Sequence, residues 1–121
     1  MHPRKKCAPK RGEIWRAELD PVRGDEMEKI RPVVVLSSDI FTGLKLKVCV
    51  PITGWKNTFD SYEWFVKLTP NGINNLSKVS GVNGLQIRCL DVGRFFSKIG
   101  RVTASELEDI LASVAIVLEI S

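Results

Sequence analysis

Histidine is almost missing from this chain: the single copy, His2, stands in a basic N-terminal stretch. A triad of nucleophile, histidine and acid therefore has no usable imidazole. Acids crowd at Asp20, Asp25, Glu26 and Glu28, but Arg23, Lys29 and Arg31 stand among them, so ion pairing or plain solvation accounts for the group. No other set of residues has the composition of a metal site. Cysteine is scarce and odd in number, at Cys7, Cys49 and Cys89, with no pair at zinc-ligand spacing. Scattered thiols fit reduced side chains in a cytoplasmic setting, not a disulfide framework. Cys49 and Cys89 lie inside apolar runs and read as small core residues. No apolar run is long enough to cross a bilayer, and no apolar segment follows the basic start as in a secretory leader. Neither standard glycine-rich phosphate loop is present. An enzyme built from this sequence works without metal, cofactor or imidazole, and without a membrane partner.

What is present is an ordinary globular composition: 121 residues, 44% hydrophobic and 26% charged. That is one domain with enough chain for a real core. The charge is uneven. All 18 Lys and Arg, and ten of the 14 acids, precede Thr103, so residues 1–102 carry a net +8. A basic body suits a polyanion, because Lys and Arg that neutralise phosphates release counterions. Accidental surface charge is the competing account.

Residues 1–11 hold five basic residues and two prolines without periodicity, and read as a flexible arm before a domain spanning 12–121. Strand patterns cover 13–19, 32–36, 45–52 and 62–68, with a further strand inside 79–91 centred on 85–88 and a short one at 97–102. Pro32 is expected at a strand's first residue, where its missing N–H costs nothing. Polar connections fill 20–30, 37–44 and 53–61. One helix is predicted from Ala104 to Ile120, opened by the capping box Thr103-x-x-Glu106 and striped by Leu107, Ile110, Leu111, Val114, Val117 and Leu118. Ala115 and Ile116 widen that stripe beyond what one small sheet covers. Five to seven short strands and a C-terminal helix make a mainly β (α+β) fold, a small strongly bent sheet or barrel.

One reaction class tolerates the missing groups. RNA carries its own nucleophile, the 2′-hydroxyl beside the phosphate, so a protein need only align it and stabilise the developing charge. Arg31, held in an extended backbone by Pro32, presents a permanent planar fork of donors suited to phosphate oxygens. Thr53, ending the run Val48-Cys49-Val50-Pro51-Ile52, is the candidate hydroxyl partner. Local sequence leaves both open to blander readings: a surface salt bridge for Arg31, plain strand propensity for Thr53. Trp55 is a candidate for stacking under a base, with simple packing as the alternative, and Lys29 and Lys56 are candidates to line an RNA groove.

Residues 12–37, GEIWRAELDPVRGDEMEKIRPVVVLS, resemble the N-terminal signature of the MazF/PemK toxin family. VPIT at 50–53 is similar to its second motif, and LQIRCLD at 85–91 to its third. The resemblance runs in order over about residues 11–120. It implies an SH3-like barrel, a homodimer, and a metal-independent endoribonuclease that cuts single-stranded mRNA in a sequence-selective way and is neutralised by an antitoxin. By position, the family's essential arginine falls on Arg31 and its essential threonine on Thr53. Gln86 and Arg88 fall on the third motif near the RNA path. Ser37 falls on a polar position where backbone bonding is an equal account. Leu85 departs from the acid that many members carry there, and Met27 to Ile30 is bulkier than usual, so the cut sequence stays open. Two other readings on this scaffold are a non-catalytic gyrase inhibitor like the CcdB toxins and a nucleic-acid-binding module.

Overall fold

The computed structural model describes residues 8–20, 29–41 and 43–120, with only the backbone of Asp20 and Lys29. Most of the basic arm and of the 20–30 connection therefore lies outside the described residues. Among the described residues are seven antiparallel strands: β1 (Glu13–Asp20), β2 (Lys29–Val35), β3 (Leu46–Gly54), β4 (Phe65–Leu68), β5 (Ser80–Asn83), β6 (Arg88–Asp91) and β7 (Phe95–Arg101). They form one sheet in the order β4-β5-β3-β2-β1-β7, with β6 also on β3. The helix α1 (Ala104–Leu118) follows.

Strand alternation divides the buried side chains into two cores. Ile14, Val34, Val50, Ile52 and Val82 face α1, where Ile110 and Val114 close over them. Ala17, Leu19, Val33, Cys49 and Leu90 form the second core on the other face. Val33-Val34-Val35 is continuous in sequence because it feeds both.

Several boundaries differ from the sequence reading. Pro32 lies inside β2, opposite Arg16, not at its start. The ladder with β3 begins one residue later, at Val33↔Pro51, so the β3 side places no pair on the proline. The strand expected around 85–88 is two strands. Ile52 pairs with Val82 and Cys49 with Arg88, so three extra residues intervene on the partner side. They are the 3-10 turn Gly84–Gln86. This break is tertiary in origin: a Cβ on Gly84 would meet Ser113 Oγ of α1 at 2.5 Å. Residues 62–64 precede β4 as a turn, and the 53–61 connection contains a 3-10 helix (Asn57–Ser61). Strand β7 starts two residues before expectation. The helix stops at Leu118, because Glu119 takes a left-handed backbone (φ 57°).

The sheet edges β4 and β7 do not pair with each other. Instead the connection after β4 lies against β7: Arg101 N–H donates to Ile73 O at 3.1 Å and Asn75 Nδ2 to Ile99 O at 2.9 Å. The curled sheet with its covering helix has the expected barrel-like form.

The capping box is present in full. Glu106 N–H donates to Thr103 Oγ1 (3.2 Å), and Thr103 N–H donates to Glu106 Oε1 (2.8 Å). Thr103→Ala removes one acceptor at the helix start. It is expected to cost about 1 kcal/mol, a fall of about 4 °C in a thermal melt followed by circular dichroism.

Candidate active site

Register brings the two sequence candidates together. The β2–β3 ladder runs Val35↔Cys49, Val34↔Val50, Val33↔Pro51. Continued by two residues, the same alignment sets Arg31 across from Thr53. Alternation puts both on the face of Val33 and Cys49, away from α1. Beyond the last β2–β3 pair each residue is held by its other neighbour, Arg31 by Ala17 of β1 and Thr53 by Gly81 of β5. Both line one cleft of about 400 Å³, with Leu19, Pro51, Phe59, Phe65, Asn83, Gln86 and Arg88.

The walls are ordered by specific contacts. Arg88 Nη2 donates to Leu19 O at 2.8 Å, tying the start of β6 to the end of β1. Phe59 and Phe65 stack with ring centres 3.8 Å apart and an interplanar angle of 10°. Their cluster lies over Gly81, where a Cβ would come within 3.1 Å of Phe65. Asn83 Oδ1 accepts from Leu85 N–H at 3.1 Å, opening the turn that carries Gln86. Beneath the site, burial pushes the Cys49 thiol up to about 12, against the opposing pull of the Arg88 guanidinium. Cys49 thus stays a neutral packing group at ordinary pH and is no nucleophile.

The chemistry on offer is electrostatic. The Arg31 side chain is exposed and makes no hydrogen bond or ion pair among the described residues. Thr53 is half-buried with a hydroxyl that donates and accepts. A phosphate lodged between them meets a cation on one strand and a hydroxyl on the next. The described residues contain no group of three His, Cys, Asp or Glu side chains placed to hold a metal ion.

The other sequence candidates separate. Gln86 and Arg88 join the cleft. Ser37 does not: its Oγ accepts from Val48 N–H at 3.0 Å, the backbone role already weighed. Trp55 does not line the cleft either. It sits edge-on against Phe59 (5.4 Å) and Phe65 (6.4 Å), with Lys67 Nζ 5.1 Å from its ring centre. Lys56 is exposed outside the lining set, and the Lys29 side chain is outside the described residues. Sequence reasoning missed Phe59, Phe65 and Asn83. The density of aromatics between Trp55 and Phe65 was the available signal for the first two.

The description "PemK-like, MazF-like toxin of type II toxin-antitoxin system" matches residues 10–118. The chain is 33% identical to the endoribonuclease MazF9 of Mycobacterium tuberculosis over 104 residues, 81% of this chain and 86% of the relative. It is 30% identical to the endoribonuclease PemK of Escherichia coli over 117 residues, 95% of this chain and 86% of the relative. Among solved structures, the fold matches a MazE–MazF crystal structure from Deinococcus radiodurans with a TM-score of 0.76 at 23% identity, covering 96% of this chain and all of that one. A mycobacterial endoribonuclease in complex with its cognate antitoxin matches with a TM-score of 0.74 at 22% identity, covering 94% and 98%. With the expected motifs, the barrel and these likenesses all extending over the same span, the chain belongs to the PemK-like, MazF-like family of toxins of type II toxin–antitoxin systems.

Proposed function

We propose that this toxin is an endoribonuclease that cleaves single-stranded mRNA by attack of a 2′-hydroxyl on its own phosphate. The bond from the 2′-oxygen to phosphorus forms and the bond from phosphorus to the 5′-oxygen breaks. One proton leaves the attacking hydroxyl and one is taken up by the departing oxygen. The products are a 2′,3′-cyclic phosphate and a 5′-hydroxyl. Arg31 stabilises the charge that accumulates on the phosphorane, where fixed donors act most strongly. The Thr53 hydroxyl orients the reacting group, and holding it in line removes orientational entropy from the barrier. Gln86 and Arg88 contact the bound strand. The observation that carries this reading is the shared cleft of Arg31 and Thr53, two residues 22 positions apart in the chain.

The reaction needs no metal or other cofactor, because substrate supplies the nucleophile and the protein the charge. The working form is a homodimer in the cytoplasm, and the natural inhibitor is a cognate antitoxin, by analogy with the relatives crystallised with theirs. No helix among the described residues is long and apolar enough to cross a membrane. The test uses purified protein with a mixed RNA in excess chelator. Discrete cuts are expected, with 5′ ends that accept label from a kinase directly. A 2′-deoxy substitution at the cut position is expected to abolish cutting there. Cuts that survive that substitution, or that vanish in chelator, would overturn the mechanism.

A further inference from the structure

The cleft spreads across three neighbouring strands. Arg31 stands on β2 and Thr53 on β3, and the residue paired with Thr53 on the far side is Gly81 of β5. Paired residues project to the same face of a sheet. Glycine leaves that place to aromatic rings: a Cβ on Gly81 would meet Trp55, Phe65 and Phe59 at 3.0, 3.1 and 3.3 Å. The cluster thus stands beside Thr53, one strand spacing (about 4.8 Å) further from Arg31. We propose that the outer face of Phe59 is a platform on which one base of the bound strand stacks. This rests on the RNA-cleaving reading above.

The ring geometry singles out that face. Every aromatic residue of the chain is among the described ones, and only Phe65 and Trp55 make ring contacts with Phe59. Phe65 covers one face, with centres 3.8 Å apart and planes 10° from parallel. Trp55 does not cover the other. A ring lying beyond Phe59 on the axis of the stack would be farther from Phe65 than from Phe59 by nearly the whole 3.8 Å spacing. Trp55 is 5.4 Å from Phe59 and 6.4 Å from Phe65, and stands at 89° and 87° to them. It therefore flanks the stack. Gly81 meets Phe59 at Cδ2, an atom of the rim. Phe59 is half-buried and lines the cleft, and the face opposite Phe65 is the ring surface it has left to present there. Phe65 is the more enclosed of the two, since Tyr62 also packs against it, 6.2 Å away and tilted by 35°.

The platform is also held still. Phe59 N–H donates to Lys56 O at 2.9 Å, and Tyr62 N–H donates to Phe59 O at 3.0 Å, so both backbone groups of Phe59 are fixed in the 3-10 turn. A ring already in place loses little freedom when a ligand arrives. Stacking of one base on an aromatic side chain is worth about fivefold to a hundredfold in affinity, and it tolerates any base because each has a π face. A strand with its phosphate between Arg31 and Thr53 is then held on two sides, by charge on one and by a base on the other. What Phe59 adds is affinity and alignment, with no choice among bases.

The competing account is that Phe59 only packs against Phe65. An RNA oligonucleotide with one cut site, carrying a 2′-deoxy substitution there, is titrated with each protein and followed by fluorescence anisotropy. Nucleotides flanking the cut are replaced one at a time by abasic units, which keep the phosphates. Wild type is expected to bind about fivefold to a hundredfold more weakly when one particular base is removed. Phe59→Leu keeps an apolar side chain and loses the π face. It is expected to bind the intact RNA more weakly by a similar factor, and to lose little more when that same base is absent. Phe59→Tyr keeps the ring and is expected to follow wild type on both RNAs. The readout is the ratio of affinities for intact and abasic RNA within one protein, so a smaller folded fraction in a variant does not move it. If each abasic replacement weakened Phe59→Leu as much as wild type, the proposal would be overturned while cleavage stood. Indifference of wild type to every missing base would overturn it too. No cutting of the unsubstituted RNA by wild type would overturn the reading beneath it, and the proposal with it.

Discussion

Arg31→Ala is expected to slow RNA cleavage by about 10²- to 10³-fold, the usual loss when one charge-stabilising donor is removed from a preorganised site. The same variant is expected to melt within about 2 °C of wild type, because surface positions without partners carry little stability. Arg31 is such a position: exposed and unbonded among the described residues. Its strand is secured by its neighbours instead, with Val33, Val34 and Val35 fully buried. Single-turnover cleavage of a fluorescent RNA gives the rate, and a thermal melt gives the stability. Arg31→Lys sharpens the result, since it keeps the charge and loses the planar fork. Recovery of part of the rate assigns the rest to bidentate geometry. A wild-type rate in Arg31→Ala would remove the residue from catalysis.

The largest loss of stability is expected from Gly100→Ala. A Cβ at this position would lie 2.5 Å from Ile73 O and 2.6 Å from Asn74 O. Both obstacles are backbone, so no rotamer change relieves them. The segment they belong to is itself fixed. Asn74 is fully buried; its Oδ1 accepts from the N–H groups of Asn71 and Leu76, and its Nδ2 donates to Thr69 O. Overpacking of this kind costs about 3 kcal/mol. For a chain of this size that is a fall of about 12 °C in the thermal midpoint. The cut-end chemistry of the surviving folded protein should be unchanged, because β7 and the covering turn contribute nothing to the cleft lining. A melt equal to wild type would mean that the turn moves off β7 at little cost.

Much of this was legible in the chain. Strand periodicity located the sheet, and the Thr103 capping box located the helix start to the residue. What sequence cannot express is the partner of a strand. Arg31 and Thr53 were each chosen for their chemistry and their corner positions. That they stand at matching levels on adjacent strands follows from a ladder whose register depends on burying Val34 and Val50 on one side and Val33 and Cys49 on the other. A continuous valine run carries no period to announce this. The split of β5 from β6 was hidden for a related reason, since Gly84 and Ser113 are remote in sequence and meet only in the fold. Trp55 was left between stacking under a base and simple packing, because the phenylalanines that pack edge-on against it come together only in the fold.

The β2–β3 ladder divides mutational freedom sharply between neighbouring stretches of chain. Arg31 and Thr53 are aligned by pairing, not by the bridge that joins their strands, so insertions among residues 38–44 can accumulate without parting them. A single deletion inside Val33–Val35 or Cys49–Pro51 is different. It rotates every side chain beyond it by half a turn and sends one member of the pair under the helix. Homologous toxins should therefore vary in hairpin length and hold the count between each active residue and the ladder constant.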